Sequence, residues 1–224
     1  MKKILLAAGL SLASASLMAA GTSLETDAEK FSYAVGLNFA QSMMRQGAPL
    51  DADAVYMALK DALGGSEPRL SAEVMQTALK TAAQAAGSKK KEMAVKNMEA
   101  GKAYMAKNKA KKGVTTLPDG LQYEVLREGT GAQPTDDSTV KVHYTGKLVD
   151  GREFDSSRRD GQPVTFPVNG VIPGWQKILP LMKTGARWQV TVPPDLAYGV
   201  EGAGAAIGPN ETLVFEIELL EVVK

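Results

Sequence analysis

Hydrophobic positions follow two different rhythms along this chain, one on each side of Gly113. Before it they recur every three or four residues, and after it they alternate. Phe31, Val35, Phe39 and Met43 form one i, i+4 row and Tyr33, Leu37, Ala40 and Met44 a second, which predicts a helix from about Asp27 to Gln46. Thr26 and Glu29 stand at capping-box spacing in front of it, and Gly47 stops it. Asp51 caps a second predicted helix that runs through Leu63 to the stop at Gly64-Gly65, with Val55, Leu59, Ala62 and Leu63 facing inward. Two apolar rows on one helix are more than a single neighbour covers. They predict a partner for residues 21–70, most simply a second copy of the chain. Ser71 then opens a proline-free run to Lys112, 42 residues, or roughly 63 Å as one helix. Val74, Met75, Ala78, Leu79, Ala82 and Ala86 make a narrow stripe on its first half, while the second half is mostly Lys, Ala, Met and Glu. Residues 71–112 are thus expected to be a stalk too polar for a core, weakest at Gly87-Ser88.

Beyond Gly113 the period shortens to two. Leu121, Tyr123 and Val125 share one parity, as do Val140, Val142 and Tyr144, then Trp188, Val190 and Val192, then Leu213, Phe215, Ile217 and Leu219. Asp150-Gly151 is a two-residue hairpin signal between Lys147-Leu148-Val149 and Arg152-Glu153-Phe154. Trp175, Ile178, Leu179 and Met182 have helical spacing within Gly174 to Met182, a helix kept short by Pro180. The fold class is therefore α+β, with an all-α first half and a twisted antiparallel sheet packed on one short helix in the second. Proline usage agrees, since nine of the 11 prolines lie at or beyond Pro118.

Composition narrows the chemistry. The net charge of +1 argues against a dedicated nucleic-acid binder. The lysines at 89–91 and 107–112 are those of a solvated helix face, so any membrane contact is expected to be peripheral. The absence of cysteine removes disulfides, thiolate nucleophiles and cysteine-ligated metals, and with a single histidine no metal or other cofactor is expected. Residues 1–20 have the form of a cleaved signal peptide: Lys2 and Lys3 precede an apolar run from Ile4 to Ala20 that ends in small residues. The expected location is outside the cytoplasm, periplasmic or associated with the outer membrane if the source is Gram-negative.

A hydrolase would need a nucleophile and a base, and His143 is the one imidazole available. By strand parity it points away from Val142 and Tyr144, as a solvated residue. The glycine-rich stretch Gly199 to Gly204 precedes no helix and carries no lysine, so it is a loop and not a phosphate cradle. What remains is a surplus of rings: Tyr144, Phe154, Phe166, Trp175, Trp188, Tyr198 and Phe215. Rings from several elements can line an apolar pocket holding a few polar groups, here Asp155 and the Tyr198 hydroxyl. They can equally all be core, and composition leaves both open.

Five motifs in register decide between these. VHYTG at 142–146, FDSS at 154–157, VIPGW at 171–175, LAYG at 196–199 and TLVFEIELL at 212–220 resemble the FKBP-type peptidyl-prolyl cis-trans isomerases across residues 113–224. YAVGLNFAQSM at 33–43, KDALGG at 60–65 and the long helix resemble the N-terminal dimerisation region of the macrophage infectivity potentiator (Mip) group. The resemblance implies a half-barrel of antiparallel strands with a proline-sized pocket. Trp175 would be its floor, and Tyr144, Phe154, Phe166, Val171, Ile172, Tyr198 and Phe215 its walls. Asp155 would be the polar wall residue, with the Ile172 N–H and the Tyr198 hydroxyl holding carbonyls of the bound peptide. It also implies proline-containing polypeptides as partners, macrolides such as tacrolimus or rapamycin as inhibitors, a homodimer, and chaperone activity beside isomerisation. Val164, Ala203 and Ala206 depart from the family pattern, where some relatives carry bulkier residues, so one rim should be more open. The competing function is a non-catalytic chaperone or adhesion module that binds proline-containing segments.

Overall fold

Helix α1 (Asp27–Arg45) begins on the predicted capping box, in which Glu29 N–H donates to Thr26 Oγ1 at 3.2 Å and Thr26 N–H donates to Glu29 Oε2 at 2.8 Å. Gly47 follows with φ 71°, the left-handed conformation that ends a helix. The computed structural model describes residues 23–45, 47 and 50–223, so the expected signal peptide lies outside the described residues. The chain divides into two compact units, one through Ser42 and one from Met43 onward. Within the first, Phe31, Tyr33, Val35, Leu37 and Phe39 of the two apolar rows face solvent in the single chain, Phe31 being 71% exposed. Helix α2 (Ala52–Leu63) starts where Asp51 Oδ1 accepts from Ala54 N–H at 2.8 Å, and it too has no buried residue.

Helix α3 (Ala72–Lys109) is capped by Ser71 and runs 38 residues without interruption through Gly87-Ser88, so the expected weak point is ordinary helix. Its second half is not a free stalk. Ala94, Asn97, Gly101, Met105 and Asn108 lie on one face and are buried or half-buried against the β-rich region. The contacts are amides and a glycine in place of an apolar stripe. Asn108 Nδ2 donates to Gln122 Oε1 at 3.0 Å, Gln122 Nε2 donates to the Met105 carbonyl at 3.0 Å, and a side chain at Gly101 would meet Thr212 Oγ1 at 2.3 Å. The two glycines of this helix therefore predict opposite outcomes for one substitution. Gly87→Ala, with open space around it, should stabilise the full chain by about 0.5–1 kcal/mol. Gly101→Ala should destabilise it despite the better helix propensity; urea titration of both variants checks the signs.

Seven strands follow: β1 (Val114–Thr116), β2 (Gln122–Arg127), β3 (Thr139–Leu148), β4 (Glu153–Ser156), β5 (Val164–Pro167), β6 (Arg187–Val192) and β7 (Leu213–Val223). They form one antiparallel sheet in the order β1-β2-β6-β7-β3, with β4 and β5 sharing the far edge of β3. The β3–β4 connection is one residue longer than the two-residue turn expected. Leu148 N–H pairs with the Arg152 carbonyl at 2.9 Å, and Gly151 closes a three-residue loop at φ 91°. This is the type I turn plus left-handed glycine that suits strand twist.

The short helix α4 (Pro173–Ile178) has proline at its first position, and Pro180 falls in the separate 3₁₀ turn Leu179–Leu181. Trp175, Ile178, Leu179 and Met182 pack on the face carrying Val140, Val142, Val190, Val192, Ile217 and Leu219, all buried. This is the predicted α+β arrangement, with alternating strand residues supplying one wall of the core and α4 the other.

Candidate functional site

Five elements bring their rings to one end of this core. Tyr144 comes from β3, Phe154 from β4, Phe166 from β5, Trp175 from α4 and Phe215 from β7. Trp175, 4% exposed, meets Tyr144, Phe166 and Phe215 edge-on at centroid distances of 5.3, 6.0 and 5.3 Å. Phe154 stands edge-on to Phe215 at 5.7 Å. Edge-to-face contacts with three rings hold the indole in one orientation, and its buried N–H has no partner among the described residues. Trp188, one of the two remaining rings of the surplus noted above, instead stacks on Tyr123 at 4.6 Å and takes no part in the cluster.

Local chain geometry explains why these residues converge. Tyr144 and Gly146 lie on the same face of β3, and Gly146 pairs directly with Phe215 of β7. A side chain at Gly146 would come within 2.5 Å of Phe154 Cζ and 3.0 Å of Phe215 Cε1, so its absence makes room for both rings. On the other side, the Ile172 carbonyl accepts from Trp175 N–H at 2.9 Å and Gln176 N–H at 3.1 Å, starting α4. Gln176 Nε2 donates to the Val171 carbonyl at 2.7 Å, fixing the half-buried Val171-Ile172 pair beside the rings. The Ile172 N–H makes no hydrogen bond among the described residues.

The polar groups are few. The Tyr144 hydroxyl donates to Asp155 Oδ2. Burial, and then that carboxylate, pushes the Tyr144 phenol well above its ordinary value; burial followed by the field of Asp155 also raises Tyr198. Tyr198 is 41% exposed and belongs to the rim. His143 points to the other side, with Nδ1 3.1 Å from Ser157 Oγ, and is half-buried where alternation alone implied a solvated residue. No group of three or more His, Cys, Asp or Glu able to hold a metal occurs among the described residues. A polar cleft of about 460 Å³ lies along residues of opposite parity on β3, bordered by Lys147, Glu153, Arg158, Arg159, Gln189 and Glu216. There Arg159 pairs with Glu153 and Arg158 with Glu218, which leaves those guanidinium groups engaged.

An apolar, ring-lined end with one carboxylate and two phenols is suited to binding and desolvating a ligand more than to acid–base chemistry. The comparisons with known proteins give the family. The family described as FKBP-type peptidyl-prolyl cis-trans isomerase matches residues 130–220, and the domain amino terminal to FKBP-type peptidyl-prolyl isomerase matches residues 28–125. The outer membrane protein MIP of Legionella longbeachae is 42% identical over 230 residues, covering 99% of this chain and 98% of that protein. This chain belongs to the FKBP-type peptidyl-prolyl cis-trans isomerases. It is similar also to the FKBP-type 22 kDa peptidyl-prolyl cis-trans isomerase of Escherichia coli K12, 43% identical over 85% of this chain and 93% of that one. The crystal structure of FkpA from Escherichia coli superposes with a TM-score of 0.64 at 36% identity, covering 89% of this chain and 98% of that one. The isomerase thus acts on peptide bonds that precede proline. Sequence reasoning passed over two positions that shape its ring cluster: Gly146, visible only as a glycine inside a strand, and Gln176, a polar residue in α4 with no signal of its own.

Proposed function

We propose that the ring-lined end of the core is where this isomerase turns X-Pro bonds, with Trp175 as floor and Tyr144, Phe154, Phe166, Val171, Ile172, Tyr198 and Phe215 as walls. The observation that carries the reading is the Tyr144–Asp155 hydrogen bond at the edge of an otherwise apolar cluster. Amide resonance opposes rotation by roughly 18–20 kcal/mol, and uncatalysed exchange takes tens to hundreds of seconds. The planar amide is charge-separated and the twisted one less so. A dry pocket therefore withdraws more solvation from the ground state than from the transition state. The unpaired Ile172 N–H and the Tyr198 hydroxyl are donors for peptide carbonyls, while Asp155 fixes the Tyr144 hydroxyl and supplies the one charge. No covalent intermediate is required.

Two results test this. Asp155→Ala should lower kcat/KM on X-Pro tetrapeptides by about tenfold, the weight of a charged hydrogen bond; an unchanged value would make the pocket a bystander. The pH profile of kcat/KM should be flat from about pH 6 to 9, because both phenols are shifted upward and stay protonated donors there. A bell centred near neutrality would point to an acid–base pair instead.

The remaining assignments divide the chain into a signal peptide (1–20), a helical dimerisation region (21–70), a connecting helix (71–112) and the isomerase domain (113–224). Support for the dimer is the exposure of large apolar side chains on each helix taken by itself, Phe31, Val35 and Phe39 on α1 and Leu59 and Leu63 on α2, Leu63 being 88% exposed. Sedimentation of the full chain at micromolar concentration should give twice the monomer mass. Export to the periplasm or outer membrane follows from the N-terminal run, and no helix among the described residues is long and apolar enough to cross a membrane. With two pockets carried on long helices, the dimer suits extended, proline-containing clients and a chaperone role beside catalysis.

A further inference from the structure

The loop that follows Tyr198 is held from outside the isomerase domain, by α3. Four positions at successive turns of one α3 face reach it or its base: 90, 94, 97 and 101. Asn97 Nδ2 donates to the Pro209 carbonyl at 2.9 Å, and Asn210 Nδ2 donates to the Ala94 carbonyl at a longer 3.5 Å. Lys90 Nζ lies 2.5 Å from Glu201 Oε2, an exposed pair of little weight. Gly101 lies directly against Thr212, which is buried.

Short hydrogen-bonded links carry this grip to the pocket. Asn210 N–H donates to the Gly199 carbonyl at 2.9 Å, closing the loop at its base one residue from Tyr198. Gly202 N–H donates to the Tyr198 carbonyl at 3.1 Å, and Ala203 and Ile207 exchange both backbone hydrogen bonds. The side chains at 203, 205 and 206 are alanines. They are too small to define a rim by themselves, so the backbone position of the loop decides how much room lies beside Tyr198.

We propose that α3 is a working part of the isomerase site: through Asn97 and Asn210 it fixes the loop from 199 to 211, and so sets which residues are accepted before proline. Asn97 is a positioning residue, more than 100 positions before the loop it holds. The proposal rests on the ring cluster being the prolyl pocket, and a domain boundary drawn at Gly113 would cut the site from its support.

The test uses the full chain, with kcat/KM measured on tetrapeptides that carry Ala, Leu, Phe or Glu before proline. Asn97→Ala removes one tie. Asn210→Gly removes the other while keeping the left-handed backbone of Asn210, φ 54°. Each should change the ratio of rates between the bulky and the small residue by about three- to tenfold, the weight of one hydrogen bond. Phe154→Ala, by contrast, should lower all four rates together. Ratios within twofold of the native in both tie variants, with Phe154→Ala depressed throughout, would overturn the role of α3 and leave the pocket standing. Full rates in Phe154→Ala would overturn the pocket, and this proposal with it.

Discussion

Trp175→Ala should cost the isomerase about 3–5 kcal/mol of stability and nearly all of its turnover, the range for deleting a large buried ring. The indole is 4% exposed and touches three other rings edge-on. Those rings stand on three strands, β3, β5 and β7, tied by backbone hydrogen bonds, so they cannot close over the space left behind. Both the transfer free energy and a cavity term are therefore lost. The chain has two tryptophans, so Trp188 remains to report unfolding by fluorescence in urea. Trp175→Leu should recover much of the stability while leaving activity low, since it fills space without the flat surface of the indole. A destabilisation below about 1 kcal/mol in the alanine variant would show that Trp175 is not the floor of a packed pocket.

Gly146→Ala is the smallest substitution with a comparably large expected effect. One methyl group would sit 2.5 Å from Phe154 Cζ and 2.7 Å from Phe154 Cε2, well inside contact distance. The Phe215 ring closes the other side at 3.0 Å, so Phe154 is the side chain that gives way. Overpacking of this kind costs about 1–3 kcal/mol, and the displaced ring should reduce kcat/KM by more than about tenfold, equivalent to 1.4 kcal/mol of barrier. Phe154→Leu in the same chain should restore stability, giving a coupling energy in the double-mutant cycle. Additive losses would mean that the two residues do not share the space the structure gives them.

Much of this architecture is legible in the amino-acid sequence, for reasons that differ from element to element. The sheet was legible because Val140, Val142, Val190, Val192, Ile217 and Leu219 alternate strictly and all point into one core. The starts of α1, α2 and α3 were legible because Thr26, Asp51 and Ser71 are capping residues at the right spacing. The docking of α3 was not, because Asn97, Gly101 and Asn108 hold the β-rich region by amide hydrogen bonds and close approach, which leave no apolar period. Short strands such as β1 and β5 are three and four residues long, too brief to show alternation. In the pocket, ring count alone could not tell Trp188 from Trp175. Their separation depends on the register of β6 against β2, which pairs Trp188 with Val125 and lets Tyr123 stack on it. The five motifs in register resolved what composition left open.

Strand β7 is the last strand in sequence and the middle of the sheet, flanked by β6 on one side and β3 on the other. Its partners on β3 begin at Thr139, paired with Val223, so the central ladder joins residues from 65 (Leu148 with Leu213) to 84 (Thr139 with Val223) positions apart. A chain leaving the ribosome or a translocation channel N-terminus first would carry β1 to β6 as two unconnected fragments, β1-β2-β6 and β3-β4-β5, until residues 213–223 emerged between them. Pairing at so long a range is slow to form, so neither the sheet nor the ring cluster that takes Phe215 from β7 can be completed before that last strand is made.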